Sequence, residues 1–166
     1  MGRWTGGMAL AALALGMGMT IAGAAAAAPE YTVIVQEVAV ASPAEAVWKK
    51  VGDFCDIQKW MRGATCVYTS GNGDVGTNRL IVGRINEVMV SKTPLSYTYA
   101  QPLVPNMYHG SVEVRPVTAT TSKIIYTLVY DVSMLADQAA KDRDRAGRAA
   151  QFMGALNSMK AMAEAK

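Results

Sequence analysis

Val and Ile crowd Tyr31–Ala41 (YTVIVQEVAVA) in partial alternation with polar residues, the pattern of a strand. Ser42-Pro43-Ala44-Glu45 then reads as a helix start. It offers a hydroxyl for the N-cap, proline at the first helical position and glutamate at the third, as in a capping box. A short helix is predicted over 43–52, with Ala46, Val47 and Val51 inward, Trp48 near the edge and Lys49-Lys50 outward. Asp56 is a candidate cap for a second short helix ending at Trp60. From Ala64 onward the period falls to two. Strands are predicted over 65–70, 77–82, 85–91, 95–101, 107–117 and 123–132. Gly71-Asn72-Gly73-Asp74, Gly83-Arg84, Lys92-Thr93-Pro94, Pro102–Asn106 and 118–122 part them. Short sequential strands on short turns predict an antiparallel meander.

After Asp131 the pattern changes again. Residues 135–166 contain no proline and are rich in Ala, Met, Lys, Asp and Arg, which predicts one long helix. Ala149, Phe152, Met153, Leu156, Met159 and Ala163 recur at steps of three and four, an apolar stripe. Gly147 and Gly154 interrupt it, each lowering helix propensity by up to ~1 kcal/mol relative to Ala. A packing or cavity role would explain them. The mixed-charge run Lys141–Arg145 reads as a solvated helix face or loop. The whole order predicts a curved antiparallel sheet wrapped around the last helix, with a cavity between them.

The N-terminus has a different character. Arg3 precedes an uncharged Ala/Leu/Met/Gly run from Met8 to Ala28, and small residues offer cleavage sites before Pro29-Glu30. Residues 1–27 are expected to be a cleaved secretory signal, leaving one domain over 28–166 in the periplasm or outside the cell. The alternative is an uncleaved anchor, since the run approaches the ~20 residues that span a bilayer. After cleavage no permanent membrane anchor is expected. Export changes the reading of Cys55 and Cys66. In an oxidising compartment they are expected to pair, and two buried free thiols are the alternative.

Composition narrows the function classes. With 51% hydrophobic and 17% charged residues the chain is not disordered. The net charge is +3 and no basic run stands out, which argues against nucleic acid as a partner. One His and two Cys are too few for most zinc cages, and no cofactor is expected. No Gly-x-Ser-x-Gly elbow occurs. Gly71-x-Gly73-x-x-Gly76 fits a phosphate-loop spacing, but no helix is predicted after it.

A set of residues carries a family resemblance by order and spacing. It runs Ser42–Trp48, Val51-Gly52-Asp53-Phe54, Trp60, Glu87, Ser96-Tyr97-Thr98-Tyr99, Pro102–Tyr108 and Tyr126–Asp131. With these the chain resembles the START-like helix-grip superfamily, in its SRPBCC or polyketide cyclase/dehydrase branch, as an exported bacterial member. The resemblance implies an α+β helix-grip fold. About six or seven antiparallel strands would wrap the long C-terminal helix, with two short helices after the first strand. It also implies a cavity for a small hydrophobic or amphipathic, lipid- or polyketide-like ligand. Two departures lie near the implied cavity mouth: Met61-Arg62 where many bacterial members have His-Pro, and the spread-out Pro102-Leu103-Val104-Pro105. A weaker likeness is to exported accessory proteins of periplasmic methanol oxidation.

Alternation nominates the cavity residues. Tyr108, Gly110, Val112 and Val114 share one face of their strand, and His109, Ser111, Glu113 and Arg115 the other. His109 is then expected at the rim; a bulge would turn it inward as a general base. Tyr97 and Tyr99 share a face, as do Tyr126 and Tyr130, so tyrosines line a cavity or pack as ordinary core. Met89, Met153 and Met159 suit an adaptable cavity wall or plain core. Glu87 shares a face with Ile85 and Met89. If that face is inward the carboxylate must find a partner or take up a proton, and Arg79 lies across the Gly83-Arg84 turn. A three-residue loop would set the two opposite, a two-residue loop would offset them. They form a structural ion pair or a ligand-binding carboxylate.

The expected ligand cavity is therefore Glu87, Tyr97, Tyr99, Tyr108, Tyr126, Tyr130 and Met153, with Arg79, His109 and Trp60 at the rim or as acid/base candidates. Binding of a small apolar or amphipathic molecule is the leading function. An accessory protein for a periplasmic redox enzyme is the second, with 141–148 and 102–106 as partner surfaces. A cyclase or hydratase using Glu87, His109 or a tyrosine is the third.

Overall fold

The computed structural model describes Gly2 and residues 28–165. Apart from Gly2, the leader expected over 1–27 lies outside the described residues. The elements run β1 (Tyr31–Val40), α1 (Ala44–Val51), α2 (Ile57–Trp60), β2 (Cys66–Ser70), β3 (Asn78–Ile81), β4 (Ile85–Thr93), β5 (Ser96–Ala100), β6 (His109–Pro116), β7 (Ser122–Asp131) and α3 (Gln138–Glu164). The seven strands form one sheet in the order β1-β7-β6-β5-β4-β3-β2. Every neighbouring pair is antiparallel. Strands β2 to β7 are the expected meander. Strand β1 instead pairs with β7, from Tyr31↔Asp131 to Val40↔Ser122, so α1 and α2 carry the chain from one sheet edge to the other. Helix α3 packs against β1, β7, α1 and α2. This is the helix-grip arrangement.

Local details depart from expectation. The capping box does not form: Pro43 occupies the cap position with ψ 146° and no side chain caps the helix. The Ser42 carbonyl instead accepts a hydrogen bond from Ser122 Oγ at 2.9 Å, tying the corner to β7. The buried line of α1 is Ala44, Val47 and Val51, and Ala46 is exposed. Lys50 is outward but not merely solvated. Its Nζ donates to the carbonyls of Met162, Ala163 and Ala165, at 3.3, 3.2 and 2.6 Å. An ammonium there neutralises the negative end of α3.

Helix α3 starts three residues later than expected, because Val132–Asp137 makes a turn first, closed by Leu135 N–H to Val132 O at 3.0 Å. Asp137 is the cap, its Oδ1 accepting from Ala140 N at 2.7 Å. The buried line is Phe152, Ala155, Leu156, Met159 and Ala163. Ala149 and Met153 are only half-buried, since Ala155 stands three residues from Phe152 and shifts the stripe around the helix. Gly147 and Gly154 are exposed, with no atom within 4 Å of the position a β-carbon would take, so neither serves packing.

Cys55 and Cys66 form a disulfide with Cα atoms 5.4 Å apart, fastening the α1–α2 connection to β2. On the chain-entropy model a loop of this length contributes ~3 kcal/mol. The core beside it holds Phe54, Trp60, Tyr97, Tyr99, Tyr126 and Tyr130, all essentially inaccessible to water.

Candidate ligand-binding site

The site begins at the β3–β4 hairpin. Ile81 pairs with Ile85, so Val82, Gly83 and Arg84 make a three-residue loop. Val82 and Gly83 both take positive φ, 45° and 68°. This loop places Arg79 directly opposite Glu87. Both side chains are buried. Arg79 Nε and Nη2 donate to Glu87 Oε2 at 2.8 and 2.5 Å, and Nη1 donates to the Phe54 carbonyl. The guanidinium lies over the Phe54 ring at 3.8 Å, with Tyr99 at 5.2 Å. Gln101 Nε2 donates to Glu87 Oε1 at 2.9 Å. A buried ion pair is tolerable only with this kind of full satisfaction.

Beside it, Tyr99 Oη and Tyr126 Oη are hydrogen-bonded at 2.9 Å. Strand β6 lies between their strands, and the residue paired with Tyr99 is Gly110. A β-carbon on Gly110 would sit 2.3 Å from Tyr99 Oη, so glycine is what lets the ring cross toward Tyr126.

These groups face a cavity of about 210 Å3 between the sheet and α3. Ile57, Met61, Ile81, Ile85 and Phe152 form its apolar walls. Glu87, Tyr99, Gln101, Tyr108 and Tyr126 form its polar side, and Arg148 and Gln151 reach it from α3. A second pocket of about 340 Å3 adjoins it, bordered by the β5–β6 loop at Val104–Asn106, by Tyr130, and by Met134, Asp144 and Arg148. The two share Gln101, Tyr108 and Arg148. Arg148 Nε donates to Asp144 Oδ2 at 2.9 Å, and its guanidinium stands 4.4 Å from the Tyr130 ring and 5.3 Å from Tyr108.

The phenols are weak acids here. Burial pushes Tyr108 up to about 12, against the pull of Arg148, and Tyr97 up to about 12, against the pull of Arg79. Burial, with the neighbouring phenols, also raises Tyr99 and Tyr126 well above the ordinary phenol range. All four are neutral at physiological pH and orient polar groups rather than accept protons.

Of the expected cavity residues, Glu87, Tyr99, Tyr108 and Tyr126 line the inner cavity, and Tyr130 borders the outer pocket. Tyr97 does not line it: its ring is buried edge-on to Phe54 at 5.3 Å and against Trp48 at 5.8 Å, beneath α1. Met153 does not line it either, because one residue past Phe152 is about 100° around the helix. Arg79 and Trp60 are core, not rim. Arg79 is held under Phe54, and Trp60 is buried edge-on to Tyr126 at 6.3 Å. His109 lies on the opposite face from Tyr108 and Gly110, half-exposed, with Nδ1 2.6 Å from the Met107 carbonyl oxygen. No bulge interrupts its pairing, so it does not turn inward.

Gln101, Gly110 and Arg148 belong to the site and were not expected there. Gly110 had a visible signal, a glycine on the inward face of a strand. Arg148 had another: it stands four residues before Phe152 and four after Asp144, on the line that meets the sheet. Among the described residues no group of His, Cys, Asp and Glu is placed to hold a metal ion, and no helix is long and apolar enough to cross a membrane.

The seven-stranded antiparallel sheet gripping a long C-terminal helix is the START-like helix-grip fold. Residues 31–164 match the family described as polyketide cyclase/dehydrase and lipid transport, and the chain belongs to that family, the SRPBCC polyketide cyclase-dehydrase branch. No curated protein matches the chain. Among solved structures, a Thermobifida fusca protein aligns with TM-score 0.66 and 21% identity over 77% of this chain and 90% of its own. A START superfamily protein from Mycobacterium smegmatis aligns with TM-score 0.61 and 12% identity, over 77% and 96%. The Zhui aromatase/cyclase of Streptomyces sp. R1128 aligns with TM-score 0.57 and 17% identity, over 81% and 94%. At these identities the structures share the fold alone.

Proposed function

We propose that this is an exported binding protein, holding a small hydrophobic or amphipathic molecule in the cavity between the sheet and α3. The carrying observation is the cavity's chemistry. Its walls are apolar. Its phenols are neutral. Its carboxylate has both oxygens engaged by Arg79 and Gln101. That set can solvate and orient a ligand, but a proton-transfer step would first have to break the Glu87 pairing. The family description includes lipid transport beside cyclase and dehydrase chemistry, which fits a carrier. Export is supported by the uncharged Met8–Ala28 segment and by the paired cysteines.

A second reading, docking to a periplasmic protein partner, is favoured by apolar side chains at one end of the molecule. Leu103 and Met134 are strongly exposed there, on either side of the outer pocket.

Native mass spectrometry of the exported protein, purified without detergent, tests the proposal. The expected result is an adduct that leaves on denaturation and gives the ligand's mass. A clean apo mass, together with no uptake from a panel of apolar molecules, would overturn the binding reading and leave partner docking to be pursued. The same spectrum reports the cysteines, since the disulfide lowers the mass by two hydrogens.

A further inference from the structure

We infer that Arg148 is the anchor for a ligand carboxylate at the junction of the two pockets, so that the natural ligand is an acid on an apolar body. This rests on the reading of the cavity as a ligand site and names its substrate class.

Arg148 is the one cation lining either pocket among the described residues, and it lines both. Its guanidinium is held in place before any ligand arrives, by Tyr130 and Tyr108 against its faces and by Asp144 on Nε. Nε carries its one well-formed hydrogen bond among the described residues; the Nη1/Nη2 edge makes none, with the Tyr108 hydroxyl its nearby polar neighbour. That edge is the fork that grips a carboxylate through two parallel hydrogen bonds. A second donor stands beside it. Tyr130 Oη is buried, borders the outer pocket, and has no well-formed hydrogen-bond partner, the Asp144 carboxylate being the acceptor near it. A buried hydroxyl normally finds one, and a carboxylate on Arg148 would supply the acceptor.

The volumes say where the rest of the ligand goes. The inner cavity, about 210 Å3, is below the ~300–1,000 Å3 usual for a drug-sized ligand. A molecule whose apolar body fills it between Ile81, Ile85 and Phe152 therefore extends to Arg148 and into the outer pocket. The alternative head, a neutral hydroxyl, would leave most of the free donors on the Nη edge unused. Asp144 works against a second carboxylate nearby, so its neutralisation should strengthen acid binding.

Calorimetric titration of the detergent-free protein tests this with two acid bodies and their neutral counterparts: decanoate against decanol, and 1-naphthoate against 1-naphthol. The linear and aromatic arms separate a fatty-acid source from an aromatic-acid one. In the preferred arm the acid should bind at least ~10-fold tighter than the alcohol, a difference of about 1.4 kcal/mol. R148Q should bring the acid down to about the alcohol's affinity, the acid losing far more than the alcohol does. Y130F should weaken the acid alone, and D144N should tighten it. Equal affinity of acid and alcohol for the unmodified protein would overturn the anchor while leaving the cavity a ligand site, and it needs no variant to fold. Binding of neither class would overturn the cavity reading itself.

Discussion

The sharpest test of the fold is the Arg79–Glu87 pair, and Glu87→Gln is the perturbation that isolates it. Glutamine keeps the side chain's size and can still accept from one neighbour, so little packing is lost. What changes is that Arg79, fully buried, loses its counter-charge. The two bonds to Oε2, at 2.8 and 2.5 Å, can then go only to an uncharged amide oxygen, and among the described residues the Phe54 carbonyl is the only other acceptor on the guanidinium. Breaking a buried pair by removing one partner costs about 3–5 kcal/mol. For a domain of this size that is a fall in Tm of roughly 10–20 °C. Arg79→Met should cost a similar amount, by leaving Glu87 with Gln101 alone. The double variant Arg79→Met with Glu87→Leu removes both charges and should recover most of the loss, because no uncompensated ion remains. Urea unfolding followed by tryptophan fluorescence, with the disulfide intact, measures all of these against the parent. If Glu87→Gln costs less than about 1 kcal/mol, or if the single effects simply add in the double variant, the pair is not the buried, coupled unit described.

Gly110→Ala should be destabilising by roughly 1–3 kcal/mol, because its β-carbon would meet Tyr99 Oη at 2.3 Å and force the ring off Tyr126; thermal melts measure it. Cys55→Ala with Cys66→Ala should lower unfolding free energy by about 3 kcal/mol, and reduction of the parent with dithiothreitol should reproduce the loss. Gly147→Ala and Gly154→Ala should each raise stability, by up to ~1 kcal/mol, since both positions are helical with open space around them. At high pH the buried tyrosines set a limit. Burial holds the folded-state pKa values of Tyr97, Tyr99, Tyr108 and Tyr126 above the ordinary phenol value of about 10, so the folded state holds their protons more tightly. Their stabilisation is complete below pH 10 and is lost as pH rises toward 12. Their phenolate absorbance should therefore appear together with loss of tertiary circular dichroism; a smooth earlier titration in a still-folded protein would contradict their burial.

Element types and their order were legible in the chain by itself, because period, proline and glycine act locally. The meander from β2 to β7, the long last helix and the two short helices all follow from that. So does the inward face of β6, since side chains must alternate along a strand. The Cys55–Cys66 pair and the opposition of Arg79 and Glu87 were each one of two open alternatives. Contacts between distant segments chose among them: the loop conformation at Val82-Gly83 for the ion pair, and the approach of the α1–α2 connection to β2 for the disulfide.

The site itself was decided by tertiary packing. Alternation says which face a tyrosine takes, not what lies above that face. Tyr97 and Tyr99 share a face and point the same way, yet α1 with Phe54 covers the first while the second opens to the cavity. Residue type misled where packing changed a residue's surroundings: Trp60 and Arg79 looked like rim residues and are core, while Arg148 lay in a run of mixed charge and reaches both pockets. The physical reason is range. Secondary structure is set by interactions within a few residues, whereas a cavity is the volume left between elements far apart in the chain, and its lining depends on how a helix is rotated by a few tens of degrees against the sheet.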